Sequence, residues 1–272
     1  MTAHHLTHLA DDTHEPIRLL QLTDSHLLED PQKTFAGINP YQALETVLND
    51  VVAKHQFDLM INTGDIAQED TQITYQQYLD LVARLNTPHF FIRGNHDESA
   101  DFPIEDPNHR FQVIVVGKWC IILLNSQVDQ HVNGYLDQDQ LQQLSTTLQN
   151  YADHHMIIAL HHHTFAVGCA WLDKHSLQNA DEFLACITPY PNVKAVLCGH
   201  VHQEFSLKHQ HIEFLSSPST FLQFKPNSDD FSLDDRPSGY RMLELHPNGT
   251  LKSQVYYLDK AVGEVDHNLT KY

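Results

Sequence analysis

IRLLQLTDSH at 17–26, DLMINTGD at 58–65 and HFFIRGNHD at 89–97 share one construction: a largely apolar run that stops on a short polar motif. The runs are too short for helices, so 17–23, 58–63 and 89–93 read as buried strands. Between them, 41–54 carries Leu44, Val47, Leu48 and Val51 on one helical face, and 71–85 carries Tyr75, Tyr78, Leu79 and Val82. The order is βαβαβ, which predicts parallel strands joined by right-handed helical crossovers.

Further along the chain the pattern changes. Segments 112–116 and 119–125 flank Gly117-Lys118, a hairpin turn. A helix is predicted at 137–150, a strand at 156–160, a helix at 179–187 and a strand at 193–198. The C-terminal part reads as antiparallel: 213–216, then 240–245 and 251–257 around Pro247-Asn248-Gly249. Residues 225–238 are polar and turn-rich and read as a surface loop. No low-complexity linker and no internal repeat appears. The expectation is an α/β fold of two packed mixed β-sheets flanked by helices, one domain at 16–272 after a polar N-terminal tail at 1–15.

Composition narrows the function. The formal net charge is -19, which disfavours binding to nucleic acid through a basic face. A small anionic substrate stays open if metal ions supply local positive charge. The chain has 22 histidines beside 16 Lys plus Arg, and imidazole is the commonest side-chain metal ligand near neutral pH. Several of these, at 4, 5, 8 and 14, fall in the N-terminal tail and carry no argument. Cys120, Cys169, Cys186 and Cys198 form no CxxC pair and read as small buried residues of a reducing compartment. No apolar run approaches the roughly 18–20 residues of a membrane span. The start, MTAHHLTHLADDTHEP, lacks the basic and apolar regions of a signal peptide, so a cytoplasmic location is expected.

Five polar motifs each follow an apolar run directly: Asp24-Ser25-His26, Gly64-Asp65, Gly94-Asn95-His96-Asp97, His161-His162-His163 and Gly199-His200-Val201-His202. In an open α/β sheet, the carboxyl ends of the strands are where ligands bind. Placed there, carboxylates, one amide and several imidazoles converge on one crevice. Such oxygen and nitrogen donors suit Mn, Fe or Zn, and the imidazoles disfavour Ca. An Asp-x-His turn alone is most often a surface turn, and Gly-Asp alone carries less still. The ordered set of five is what points to a metal site.

In this order, the motifs resemble those of the calcineurin-like metallophosphoesterases, over about residues 17–220. A closer likeness is to the bacterial class III 3',5'-cyclic AMP phosphodiesterases. It rests on LLNSQV (123–128), LHHH and WLDKHSLQNADEF within 160–183, LCGHVHQE (197–204), SPST and FKP within 217–226, and GYRMLEL and NGTL within 239–251. The resemblance implies a four-layer sandwich and two metal ions, Fe or Mn first and Zn accepted. One ion would take Asp24, His26, Asp65 and His202, the other Asp65, Asn95, His161 and His200, with Asp65 bridging. The implied reaction is hydrolysis of 3',5'-cyclic AMP to 5'-AMP by a hydroxide activated between the ions, lowering the cellular level of that messenger. A phosphomonoesterase, nucleotidase or broad phosphodiesterase on the same ligands is the alternative.

Within that implication Asn95 and His96 face the substrate. His96 is the candidate general acid, and Asp97 a group to orient it or stabilise its charge. His162 and His163 are not implied ligands, although one is suited to orient a neighbour. Phe221 and Phe224, His109 and Arg110 are candidates for contact with the base. Two departures from the pattern stand out. Thr164 replaces a Pro usual after the triple His. Gln68 stands three residues after Asp65, where purple acid phosphatases carry Tyr, so no tyrosinate-iron site is expected. A non-catalytic scaffold would be expected to lose ligands or the His after Asn, and this chain keeps all seven ligands and His96. The expected partner is a small cyclic nucleotide, without nucleic acid or membrane; oligomeric state is left open.

Overall fold

The computed structural model describes residues 5–9, 15–103 and 111–270. In chain order the elements begin with β1 (His5–Leu9), β2 (Ile17–Leu22), α1 (Pro40–Lys54), β3 (Leu59–Asn62), α2 (Gln72–Ala83) and β4 (His89–Phe91). They continue with β5 (Phe111–Val116), β6 (Trp119–Leu124), α3 (Gln138–Asn150), β7 (His155–Ala159), α4 (Ala180–Ile187), β8 (Val193–Cys198) and β9 (Phe205–His209). The last are β10 (Ile212–Ser216), β11 (Gln223–Phe224), β12 (Leu233–Asp234), β13 (Gly239–Leu245) and β14 (Leu251–Tyr257).

The strands build a five-stranded sheet, β14-β13-β2-β3-β4, and a seven-stranded sheet, β1-β5-β6-β7-β8-β10-β9. The expected parallel pairing of β2, β3 and β4 is present. Alternation along each strand decides what its two faces meet. In β2, Leu19 points into the layer between the sheets, where it meets Ile61, Ile121, Ile157 and Leu197. Leu20 and Leu22 point the other way, onto Leu44, Val47 and Val51 of α1 and Tyr78 and Val82 of α2. In β6, Ile121 and Leu123 face the other sheet, while Cys120, Ile122 and Leu124 face Leu141, Leu144 and Leu148 of α3 and Phe183 of α4. The result is four layers, helix–sheet–sheet–helix, as expected. Helix α1 starts on Asn39, whose side chain accepts the Gln42 N–H, with Pro40 at the first turn; α3 starts on Asp137, which accepts the Gln140 N–H.

Three expectations are corrected. Residues 5–9, placed in a polar tail, form the edge strand β1, parallel to β5; the histidines in HLTHL hide the strand because an edge tolerates polar side chains. Strand β9 was not predicted, since FSLKH follows directly on the Gly-His-x-His motif. It pairs antiparallel with β10, which itself runs parallel to β8, so 213–216 joins the seven-stranded sheet and not the C-terminal hairpin. Segment 225–238 is not only loop, because β12 returns onto β11. The four cysteines are free, three of them buried. Among the described residues no helix is long and apolar enough to cross a membrane.

Candidate metal centre

The five motifs meet at the carboxyl ends of strands from both sheets. The turn after β2 runs beside the turn after β3: Asp24 N–H donates to Gly64 O at 2.9 Å and His26 N–H to Asp65 O at 3.1 Å. Gly199 N–H donates to His161 O at 3.1 Å, and His200 N–H reaches the Asp24 carboxylate at 3.0 Å. Asp24, His26, Asp65, His200 and His202 all have positive φ, between 45° and 67°. Non-glycine residues seldom sit there, and clusters of them mark sites where the fold over-determines the backbone. Gly64, at φ +100°, sits where a Cβ would lie 2.6 Å from Gly94 N and 2.7 Å from His161 Nδ1. A Cβ on Gly94 would collide with the Asp65 carboxylate.

Asp24, His26 and His202 bring their ligand atoms together, and Asp24, Asp65 and His161 do the same. His26 Nε2 and His202 Nε2 are 3.2 Å apart, with His202 Nε2 3.3 Å from Asp24 Oδ1. Asp65 Oδ2 lies 3.2 Å from His161 Nε2 and 3.7 Å from His26 Nε2, so one carboxylate touches both groups. Asn95 Oδ1 is 3.2 Å from His161 Nε2.

The imidazoles are oriented from behind. His161 Nδ1 donates to Thr63 O at 2.7 Å, His202 Nδ1 to Leu222 O at 2.9 Å and His26 Nδ1 to Gln68 Oε1 at 2.9 Å. An acceptor on Nδ1 places the proton there and leaves the Nε2 lone pair pointing inward. Two such lone pairs facing each other at 3.2 Å beside a carboxylate are the arrangement a cation satisfies. His200 Nε2 is buried with no hydrogen-bond partner. On this donor chemistry the residues fit two ions.

Charge supports the same reading. Burial pushes His26 and His200 well below the ordinary imidazole range, which keeps them neutral and able to ligate. Burial alone would raise the Asp65 carboxyl, but His161, His96 and His26 outweigh it and hold it well below the usual range. For His161, burial lowers the value and Asp65 and Asp24 overcome it, to about 9. A metal ion would therefore displace a proton there.

His96 lines the cavity in front of the centre. Its backbone N–H donates to Asp65 Oδ1 at 2.8 Å, and its ring stands edge-on to His26 at 4.9 Å. The Asp97 carboxylate accepts the N–H groups of Ile66, Ala67 and Gly94 at 3.0–3.1 Å and the Tyr75 hydroxyl at 3.1 Å. It fixes the backbone of the turns that carry Asp65 and Asn95. Tyr75 shares its one hydroxyl proton between Asp97 and Asp70, whose other oxygen takes Ser99 N–H. Burial first, and then Asp65, raise Asp97 to about 7.

His162 spends both nitrogens on protein: Nε2 donates to Val132 O at 3.1 Å and Nδ1 accepts from Ser126 Oγ at 2.8 Å. It anchors the loop after β6. His163 lies 3.6 Å from Asp173. Three residues before Thr164, His161 is held through Thr63 O and the Gly199 N–H. Phe221 is fully buried against Phe35, while Phe224 stacks on His202 at 4.1 Å and 12° and also lines the cavity. His109 and Arg110 lie outside the described residues.

The cavity holds about 390 Å³, and its lining includes Asp65, Asn95, His96, His200 and His202 as well as Trp171, Leu172, Phe224 and Phe231. Gln68, Trp171 and Phe231 escaped the sequence reading of the site. Gln68 was noted only as an absent tyrosine, and the aromatics lie in loops without periodicity.

The sequence model of the calcineurin-like phosphoesterases matches residues 17–204, a span that holds all seven candidate ligands. The chain belongs to this family. Among its calcineurin-like relatives is the 3',5'-cyclic adenosine monophosphate phosphodiesterase CpdA of Vibrio vulnificus (strain CMCP6). It is 38% identical over 260 residues, which cover 93% of this chain and 95% of that protein. The CpdA of Escherichia coli (strain K12) is 38% identical over 247 residues, 89% and 90% of the two chains. Solved phosphoesterase structures share the fold at 12% identity. One is a dimetal phosphatase from Danio rerio, TM-score 0.62, covering 89% of this chain and 99% of that one. Another is the purple acid phosphatase PPD1 of yellow lupin, TM-score 0.65, covering 89% and 51%. The family uses a dinuclear metal site, and the paired clusters around Asp65 are where this chain offers one.

Proposed function

We propose that this chain hydrolyses 3',5'-cyclic AMP to 5'-AMP at a two-metal centre. The observation that carries the reading is Asp65, whose carboxylate stands between two groups of inward-pointing Nε2 atoms. Relatives named for this substrate, at 38% identity over nearly the whole chain, support the choice of a cyclic nucleotide.

Asp24, His26, Asp65 and His202 would hold one ion, and Asp65, Asn95, His161 and His200 the other. Bound there, the ions would supply positive charge to the phosphoryl oxygens and lower the pKa of water. Mn or Fe suits the donor set first, and Zn is also accepted. His96 stands in the cavity beside Asp65, and we assign it protonation of the departing 3'-oxygen. Asn95, in the same turn, is placed to contact the phosphoryl group. Asp97 keeps both residues at the centre by holding the turn backbone. The catalytic unit is taken as 16–272, with β1 as its added edge strand. Four free cysteines suit a reducing compartment, and we place the enzyme in the cytoplasm on that ground.

The test is hydrolysis of 3',5'-cyclic AMP by metal-stripped protein with Mn²⁺ or Fe²⁺ restored, following 5'-AMP. Metal-dependent product is expected. Cleavage of an aryl phosphate or phosphodiester with cyclic AMP left intact would remove the substrate assignment and leave the centre.

A further inference from the structure

We infer that Trp171 and Phe231, with Phe224 behind them, form the subsite that receives the nucleobase; this rests on the nucleotide reading above. Besides charged, polar and imidazole groups, the cavity lining includes Trp171, Leu172, Phe224 and Phe231. The aromatic part begins at the metal centre itself, because Phe224 lies flat on His202 at 4.1 Å. Trp171 packs edge-on to Phe224 at 5.0 Å and to Phe231 at 5.2 Å, and Phe231 to Phe224 at 5.7 Å.

Packing into a core accounts for Phe224, which is only 3% exposed. Trp171 and Phe231 also pack against that core, but they stay half-buried and line the cavity. Aromatic faces beside a phosphate site suit a base, because every base has a π-face to stack. Phe231 comes from the segment before β12, which is held by its pairing with β11. The subsite is therefore built on a hairpin set onto the sandwich, separate from the strand ends that carry the ligands. Phe221 is excluded, since it is fully buried and does not line the cavity.

Two measurements test this. The first compares Phe231→Ala and Phe231→Tyr with the wild type, as metal-loaded enzymes. Loss of a stacking ring is expected to raise KM for cyclic AMP and the inhibition constant of 5'-AMP by about 5- to 100-fold. Inhibition by inorganic phosphate and kcat should stay nearly unchanged, and Phe231→Tyr should restore the wild-type values. The second needs no turnover. The chain has two tryptophans, and Trp119 is fully buried and donates to His246 O, away from the cavity. Saturable quenching of tryptophan fluorescence by 5'-AMP, absent with inorganic phosphate and lost in Trp171→Phe, is the expected result.

Unchanged KM in Phe231→Ala, or quenching that survives Trp171→Phe, would overturn the subsite while cyclic AMP hydrolysis by the wild type kept the function. Conversely, an enzyme that ignored cyclic AMP but showed Trp171 quenching by adenosine would keep the subsite and discard the reaction.

Discussion

Gln68 Oε1 accepts the Nδ1 proton of His26 at 2.9 Å, on a ring that is fully buried and whose other nitrogen faces Asp65 and His202. Gln68 thus sets both the tautomer and the angle of one ligand. Partners of this kind typically change metal affinity about 10- to 100-fold. Gln68→Ala should weaken metal binding by that factor, measured by competition with a chelator, and excess Mn²⁺ should recover much of the turnover. Unaltered affinity would show that packing alone holds His26.

Asp65 touches both groups of ligand atoms, so its loss should cost both ions. Asp65→Ala is expected to bring metal content from two per chain towards none and to abolish turnover. Two retained ions in a folded variant would end the bridging assignment.

His96→Ala should lower kcat by about 10²- to 10⁴-fold, the usual worth of a general acid, with metal content intact. Turnover within about a factor of two of wild type would leave His96 without its role.

Gly64→Ala places a methyl at φ +100° and against Gly94 N and His161 Nδ1. A substitution where φ is incompatible destabilises by more than about 1 kcal/mol. Urea unfolding of the metal-free protein should show a lower midpoint. An equal midpoint would mean that the turn opens without strain.

His89 and His155 open β4 and β7, at the far ends of the strands from the centre, and His55 caps α1. Burial lowers all three imidazoles below their ordinary value of 6.5. At these three positions the unfolded chain takes up protons below about pH 6.5 that the folded chain does not, so their contribution to stability falls as pH falls. In the presence of a chelator, a variant carrying His55→Gln, His89→Gln and His155→Gln should lose less Tm than the wild type between about pH 7.5 and about pH 5.5. The same loss in both proteins would contradict these shifts.

The strands and their ligand motifs were legible because one rule covers them: an apolar run long enough to cross a sheet, then a polar turn at its carboxyl end. Thus the motifs holding Asp24, His26, Asp65, Asn95, His161, His200 and His202 could be put at strand ends from local sequence, and the resemblance singled these residues out as candidate ligands. What surrounds them was not, because it depends on contacts between distant residues. The Thr63 carbonyl that orients His161 comes from 98 positions away, and the Leu222 carbonyl that orients His202 from 20. The bonds of Asp97 were out of reach for the same reason: its partners Ile66 and Ala67 lie 31 and 30 positions back. Strands β1 and β9 were missed because edge strands tolerate polar residues, which blurs the alternation a sequence reading needs.

Asp24, His26, Asp65 and Asn95 follow strands of one sheet, and His161, His200 and His202 follow strands of the other. Nε2 of His26 and Nε2 of His202 come from 176 positions apart. A nascent chain that has emerged only as far as residue 160 carries four of the seven candidate ligands, and neither proposed set is complete until the second sheet has formed and docked on the first.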